Sequence, residues 1–231
     1  MMLQLEEAVD ALEREPRAVA LVVAGDRAGA YFCSGADLSA AAAEPGAGFF
    51  GSRERAALMC AFMQRALARL RAAPAVSVAA VEGGARGGGA ELLTACDHAV
   101  LATDATVAFV HARMGLSPGW GGGARLVRAV GRRRALQCLA AAEPLDAETA
   151  LAWGLADGVA PPGGALEAAR ALAERYARAS DFAEVPRAAK ALVSFVDDDD
   201  AARLAEREAE LFRELAGGPA NRAALDARAR G

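Results

Sequence analysis

Met2–Arg14 places Leu5, Ala8, Val9 and Leu12 on one face at helical spacing, so it reads as a helix. Pro16 stops it. Ala18–Val23 is a short valine-rich apolar run, the pattern of a buried strand. Gly25–Gly35 follows as a loop that ends in S-G-A-D-L, and the Ala- and Gly-rich stretch Ala36–Ser52 reads as mobile. Arg53–Arg71 has the periodicity of a long helix, which Pro74 breaks. Val76–Val81 is the second clear strand, and a helix begins at Gly88–Thr94.

Ala99–Leu101 and Thr106–Val110 read as short strands. A glycine loop spans Gly115–Gly123, and helices are expected from about Ala124 to Val130 and over Arg132–Ala141 and Asp146–Trp153. From Leu166 onward the pattern is helical, with breaks near Asp181, Asp197 and Gly217–Pro219. The fold class is therefore α/β for the first two thirds and helical for the last third. That divides the chain into a core, residues 1–160, and a helical C-terminal region, residues 161–231. The four acids Asp197–Asp200 read as a helix cap with solvated charge, against the lesser reading of a metal site.

Composition narrows the class. The 231 residues are 54% hydrophobic and 24% charged, which marks a folded domain and not a disordered chain. A net charge of -4 gives no basic footprint for nucleic acid. Arginine far outnumbers lysine, and Lys190 is the sole lysine. Cys33, Cys60, Cys96 and Cys138 lack metal-ligand spacing and read as small core residues of a reduced, intracellular protein. No apolar run is long enough to span a bilayer, and the acidic N-terminus is unlike a targeting peptide.

The densest chemistry lies in Val76–Cys96. A strand runs into five glycines within seven residues and then into a helix carrying Glu91. Glycine lets backbone N–H groups approach a ligand closely, and a helix start offers unpaired donors to an oxygen that gains negative charge. A second loop, Cys33-Ser34-Gly35-Ala36-Asp37, also ends in glycine chemistry, about fifty residues earlier. Each candidate has a bland rival. Glu91 could be a first-turn acid favoured by the helix dipole, and Asp37 a helix cap. His111 could be a bonded histidine at a strand end, Trp120 core packing or a pocket wall, and His98 structural. Arg86, between the glycine pairs, needs an exit to solvent or a phosphate.

The G-G-G-A-E-L-x-x-A-C-D run of Gly87–Asp97, with the Ser34–Asp37 loop before it, resembles the enoyl-CoA hydratase/isomerase family, the crotonases. That resemblance implies a spiral of β-β-α turns with a helical C-terminal region. It implies an oxyanion hole from the backbone N–H groups of Ala36 and Gly88, and catalytic roles for Glu91 and His111. Gly87, Gly89, Trp120 and Asp37 would contact an acyl-CoA substrate. Hydratases of the family use two glutamates; the first aligns with Glu91, but the second position, seven residues before Pro118, is His111 here. Phe109–Gly122, Met59–Gln64 and Gly217–Asn221 resemble the decarboxylating members.

The implied reaction is decarboxylation of ethylmalonyl-CoA, and more weakly methylmalonyl-CoA, as metabolite repair in the cytosol. Histidine ordinarily changes charge near neutral pH, which suits His111 to donate the proton that replaces CO2 or to steer the carboxylate. The implied partners are an acyl-CoA substrate and further copies of the chain in a homotrimer or homohexamer. No cofactor, metal, membrane or nucleic acid enters. The alternatives are an enoyl-CoA hydratase/isomerase, or an inert shortened isoform binding partners through its helical tail. Family chains carry two or so strands before the helix that starts here at Met2. Their apparent absence predicts an unpaired edge on the strand Ala18–Val23 and lower stability.

Overall fold

The computed structural model describes residues 1–26, 30–37, 51–179, 183–197, 206, 209, 212–213 and 216–230. Most of the expected Ala36–Ser52 segment, the break at Asp181 and the acids Asp198–Asp200 lie outside the described residues. Helix α1, Met2–Glu13, leads into strand β1, Ala20–Ala24. Helix α2, Arg53–Ala72, starts on Ser52, whose side chain accepts from the Arg55 N–H at 3.2 Å, a cap worth about 1 kcal/mol. One face of α2 buries Met59, Cys60, Met63, Leu67 and Leu70 at three- and four-residue spacing. Arg69 ties α2 to α1 through both Asp10 and Glu13.

Two β-β-α turns then build the centre. Strand β2, Val76–Val81, has parallel strands on both sides and is buried at every position because both faces are covered, Val78 and Ala80 packing in one apolar cluster and Ala79 and Val81 in the other. Strand β3, Gly84–Arg86, and helix α3, Gly88–Leu93, follow. Strands β4, His98–Ala102, and β5, Thr106–Ala108, repeat the step and lead to a 3₁₀ turn, Val110–Met114, and helix α4, Gly122–Val130. Helix α5, Arg132–Leu139, strand β6, Leu145–Asp146, helix α6, Ala147–Trp153, and strand β7, Gly158–Ala160, complete this part.

The strands form two sheets among the described residues. One is parallel, in the order β1-β2-β4-β7; the other has the order β3-β5-β6, with β3 parallel and β6 antiparallel to β5. Among the described residues strand β1 pairs with β2 alone, and it is half-buried, not fully buried as the sequence pattern suggests. Residues 109–110 leave the strand expected there, since the 3₁₀ turn begins at Val110. The short strands β3, β6 and β7 are the elements that the apolar pattern misses.

The last helices pack back on this framework. They are α7, Ala165–Ala177, α8, Glu184–Asp197, and α9, Pro219–Ala229. Glu82, at the end of β2, accepts from the Gly163 and Ala165 N–H groups at 2.9 and 2.8 Å and so caps α7. The buried Lys190 of α8 pairs with Asp97, which also accepts from the Ser77 N–H and hydroxyl at 2.8 and 2.9 Å. His98 sits between the Asp157 carboxylate, at 2.8 Å, and the Tyr176 hydroxyl, at 2.5 Å, joining β4 to α7 in a structural role.

The His98–Asp157 pair makes stability pH-dependent. Its bond to Asp157 raises the His98 pKa, against burial that lowers it. Burial pushes Asp157 up, but the bond to His98 and the Ala99 N–H outweigh it and hold the carboxyl below its usual range. A raised histidine contributes fully below its unfolded pKa of about 6.5, and a lowered aspartate fully above about 3.9. The stability lost in His98→Gln is therefore expected to be largest near pH 5–6 and to shrink as pH rises through the folded His98 pKa. Urea unfolding at pH 5.5 and 8.5 measures this; an equal loss at both values contradicts it.

Candidate active site

Three loops converge on one carboxylate. Gly87 adopts φ 54° and ψ −119°, a conformation that suits glycine, and it turns β3 into α3. Glu91 falls in the first turn of α3 and is 1% exposed. Its Oε2 accepts from the Trp120 and Gly122 N–H groups at 2.7 and 2.9 Å. Its Oε1 accepts from the Gly119 N–H at 3.3 Å and meets His111 Nε2 at 3.0 Å. Four donors thus occupy the oxygens of one carboxylate. The loop comes this close because residue 122 lacks a side chain: a Cβ there would lie 2.4 Å from Glu91 Cγ.

Burial alone raises the Glu91 pKa, but the His111 bond and charge, the Gly122 N–H and the Arg125 charge outweigh it and hold the carboxyl below its ordinary value. The group is ionised and accepts only, so His111 carries a proton on Nε2. His111 belongs to the 3₁₀ turn, which ends on Gly115 at φ 67° and folds back through a 3.0 Å bond from the Leu116 N–H to the His111 carbonyl. The ring is buried, and its Nδ1 has no hydrogen-bond partner among the described residues. Arg125 steadies the arrangement by donating to the Glu91 and Trp120 carbonyls at 3.1 and 3.0 Å and to the Thr94 hydroxyl at 3.2 Å.

The first glycine loop lies against this centre. Cys33 bridges to Ala85 of β3, and its carbonyl accepts from the Arg86 N–H at 2.9 Å. Gly35 has φ 89°, and a Cβ built on it would stand 3.2 Å from the Gly88 nitrogen, so the two loops are in direct apposition. The N–H groups of Ala36 and Gly88 find no acceptor among the described residues. Both residues line one cavity of about 80 Å³ with Gly87, Glu91, His111 and Trp120. Trp120 covers Gly88 so closely that a Cβ there would fall 2.3 Å from the indole ring.

Two sequence candidates stand elsewhere. Gly89 is turned toward the first loop, where a Cβ would meet the Cys33 carbonyl at 2.1 Å, so its smallness serves packing and it is not on the cavity wall. Asp37 is exposed and also off the wall; the helix it was expected to cap lies outside the described residues. Arg86 is exposed with its guanidinium 5.0 Å from the Tyr31 ring centroid, which gives its charge the solvent exit it needs. Among the described residues there is no group of three or more His, Cys, Asp or Glu side chains placed to hold a metal ion, and no helix is long and apolar enough to cross a membrane.

The remaining wall contains Met59 of α2, Met114 and Leu116 around the 3₁₀ turn, and Phe212, Asn221 and Leu225 from the C-terminal region. Met59 and Asn221 fall in segments that carry the family resemblance. Phe212 and Leu225 offered only apolar character in a helical stretch, which does not separate a pocket wall from any other core position.

Glu91 is a buried charge whose every bond is specific, and that generates a prediction. Glu91→Gln turns one acceptor oxygen into an NH₂ group facing N–H donors. The expected loss is about 3 kcal/mol, the upper range for a charged hydrogen bond left unmade. Urea unfolding measures it; a loss under about 1 kcal/mol, the net worth of one ordinary hydrogen bond, contradicts this account of the carboxylate.

The family described as Enoyl-CoA hydratase/isomerase matches residues 1–222. The chain is 41% identical over 231 residues to "Ethylmalonyl-CoA decarboxylase" of Gallus gallus, covering 99% of this chain and 74% of that protein. It is 42% identical to the protein of the same name from Danio rerio, covering 97% and 72%. Among solved structures, Pseudomonas aeruginosa DspI is similar at 34% identity and a TM-score of 0.76, over 93% of this chain and 84% of that one. With a β-β-α spiral, two apposed glycine loops and this match along nearly all its length, the chain belongs to the enoyl-CoA hydratase/isomerase family.

Proposed function

We propose that this chain decarboxylates ethylmalonyl-CoA, and more weakly methylmalonyl-CoA, through a thioester enolate. The observation that carries the reading is the cavity lined by Ala36 and Gly88, whose N–H groups find no acceptor among the described residues, and by His111, whose Nδ1 finds no partner among them. The thioester oxygen sits at the two amides. The Cα–carboxylate bond breaks, CO2 leaves, and the electron pair moves onto the thioester to give an enolate whose oxygen is negative. Two aimed donors stabilise that charge without reorganising, and one such donor is worth about 3 kcal/mol, or roughly a hundredfold in rate. A proton from Nδ1 of the His111 imidazolium then adds to Cα, and solvent returns it.

Glu91 is a positioning residue in this scheme. Its oxygens are occupied, so it holds the His111 ring and stabilises the imidazolium rather than relaying a proton. A hydratase needs two carboxylates within reach of one water. Here one position is His111 and the other carboxylate is fully engaged, which disfavours water addition to an enoyl-CoA. The proposal includes a cytosolic setting, assembly as a homotrimer or homohexamer, and no cofactor beyond the CoA that belongs to the substrate. An inert chain binding partners through its tail is the opposing reading.

His111→Ala is expected to lower turnover of ethylmalonyl-CoA by about a hundredfold, the lower end for loss of a general acid. Release of CO2 by purified protein measures it. Turnover within about threefold of the parent, well inside that range, removes His111 from the reaction.

A further inference from the structure

The C-terminal region does more than cover the core. Asn221 lies in the first turn of α9 and is 0% exposed, and both ends of its amide are engaged. Its Nδ2 donates to the Met114 carbonyl at 2.7 Å, and its Oδ1 accepts from the Gly217 N–H at 3.0 Å. Met114 closes the 3₁₀ turn that carries His111. The amide therefore satisfies two backbone groups and joins the start of α9 to the catalytic turn. Leu225 follows Asn221 by four residues, on the same helical face, and both line the cavity. Phe212 is buried on the same wall, and it fits against the Glu91-binding loop because residue 119 has no Cβ: one there would fall 2.7 Å from the Phe212 ring.

We propose that Phe212 and Leu225 set the length of the acyl group this cavity accepts, with Asn221 as the positioning residue that pins them to the turn bearing His111. The inference rests on the acyl-CoA reading given above and names the residues that make its substrate short. A cavity of about 80 Å³ is smaller than the ~150 Å³ engineered cavity that takes benzene, so it suits a group of two or three carbons. Phe212 and Leu225 supply apolar side chains to this side of the wall, against which a longer alkyl chain would have to fit.

Binding of butyryl-CoA and octanoyl-CoA to the full chain, measured by calorimetry, tests this without requiring turnover. The parent is expected to favour butyryl-CoA. Phe212→Ala and Leu225→Ala are each expected to shift the ratio of the two dissociation constants at least about tenfold toward octanoyl-CoA, the low end for misfit in an apolar pocket. Leu225 is half-buried, so its variant serves if Phe212→Ala does not fold. Asn221→Ala, which frees the wall without enlarging it, is expected to move the ratio the same way. A parent that binds both thioesters equally, or variants with the parent's ratio, overturns the proposal. A variant that only weakens the fold changes both constants together, leaves the ratio unmoved and also counts against it. A parent that binds neither thioester overturns this inference and the acyl-CoA reading together. Selective binding without CO2 release from ethylmalonyl-CoA overturns decarboxylation and leaves the length limit standing.

Discussion

The site depends on one buried negative charge. An ionised carboxylate taken out of water is costly unless every lone pair is met, and Glu91 meets that demand with three backbone N–H groups and one imidazole. The donors come from two segments, the Gly119–Gly122 loop and the 3₁₀ turn. The Gly119–Gly122 loop wraps the oxygens, the 3₁₀ turn brings His111, and α3 supplies the acid itself. The same charge fixes Nε2 of His111 as a proton carrier. Removing the charge would leave donors in two of these segments unmet, which makes Glu91 a hub of structure as well as a positioning residue.

Much of this was legible in the residues. The alternation of strand and helix up to Trp153 follows from apolar spacing and from Pro16 and Pro74, and the observed elements keep to it within a few residues. The glycine runs marked places where backbone N–H groups could come close to a ligand. They did not reveal which contact each glycine permits: Gly122 makes room for Glu91, Gly89 for the Cys33 carbonyl and Gly119 for Phe212. Spacing along a chain encodes a local turn, while these are meetings of segments far apart in sequence. The strands β3 and β6 were unreadable for a related reason, since two or three residues carry no period and their pairing is set by partners elsewhere.

The tail illustrates the same limit. Residues beyond Leu166 read as helix, and helices they are where described, yet nothing in their pattern says that Phe212, Asn221 and Leu225 enter the cavity. Asn221 closes a segment that carries the family resemblance, but its place just after Pro219 does not say what its side chain meets. It is fully buried; its amide donates to the Met114 carbonyl in the turn of His111 and accepts from the Gly217 N–H just ahead of α9. Polar locks of this kind recur: Lys190 on Asp97, Glu82 on the start of α7 and His98 on Tyr176 each tie a late helix to the parallel sheet. They place the C-terminal helices by direction as well as by burial.

In the proposed reaction, a carboxylate committed to holding an imidazole cannot also activate water, whereas loss of CO2 needs an enolate stabiliser and one proton. One preparation of the purified chain given ethylmalonyl-CoA and, separately, crotonyl-CoA tests that contrast most directly. The account predicts CO2 and butyryl-CoA from the first and negligible water addition to the second. Rapid hydration of crotonyl-CoA with no CO2 from ethylmalonyl-CoA would contradict it.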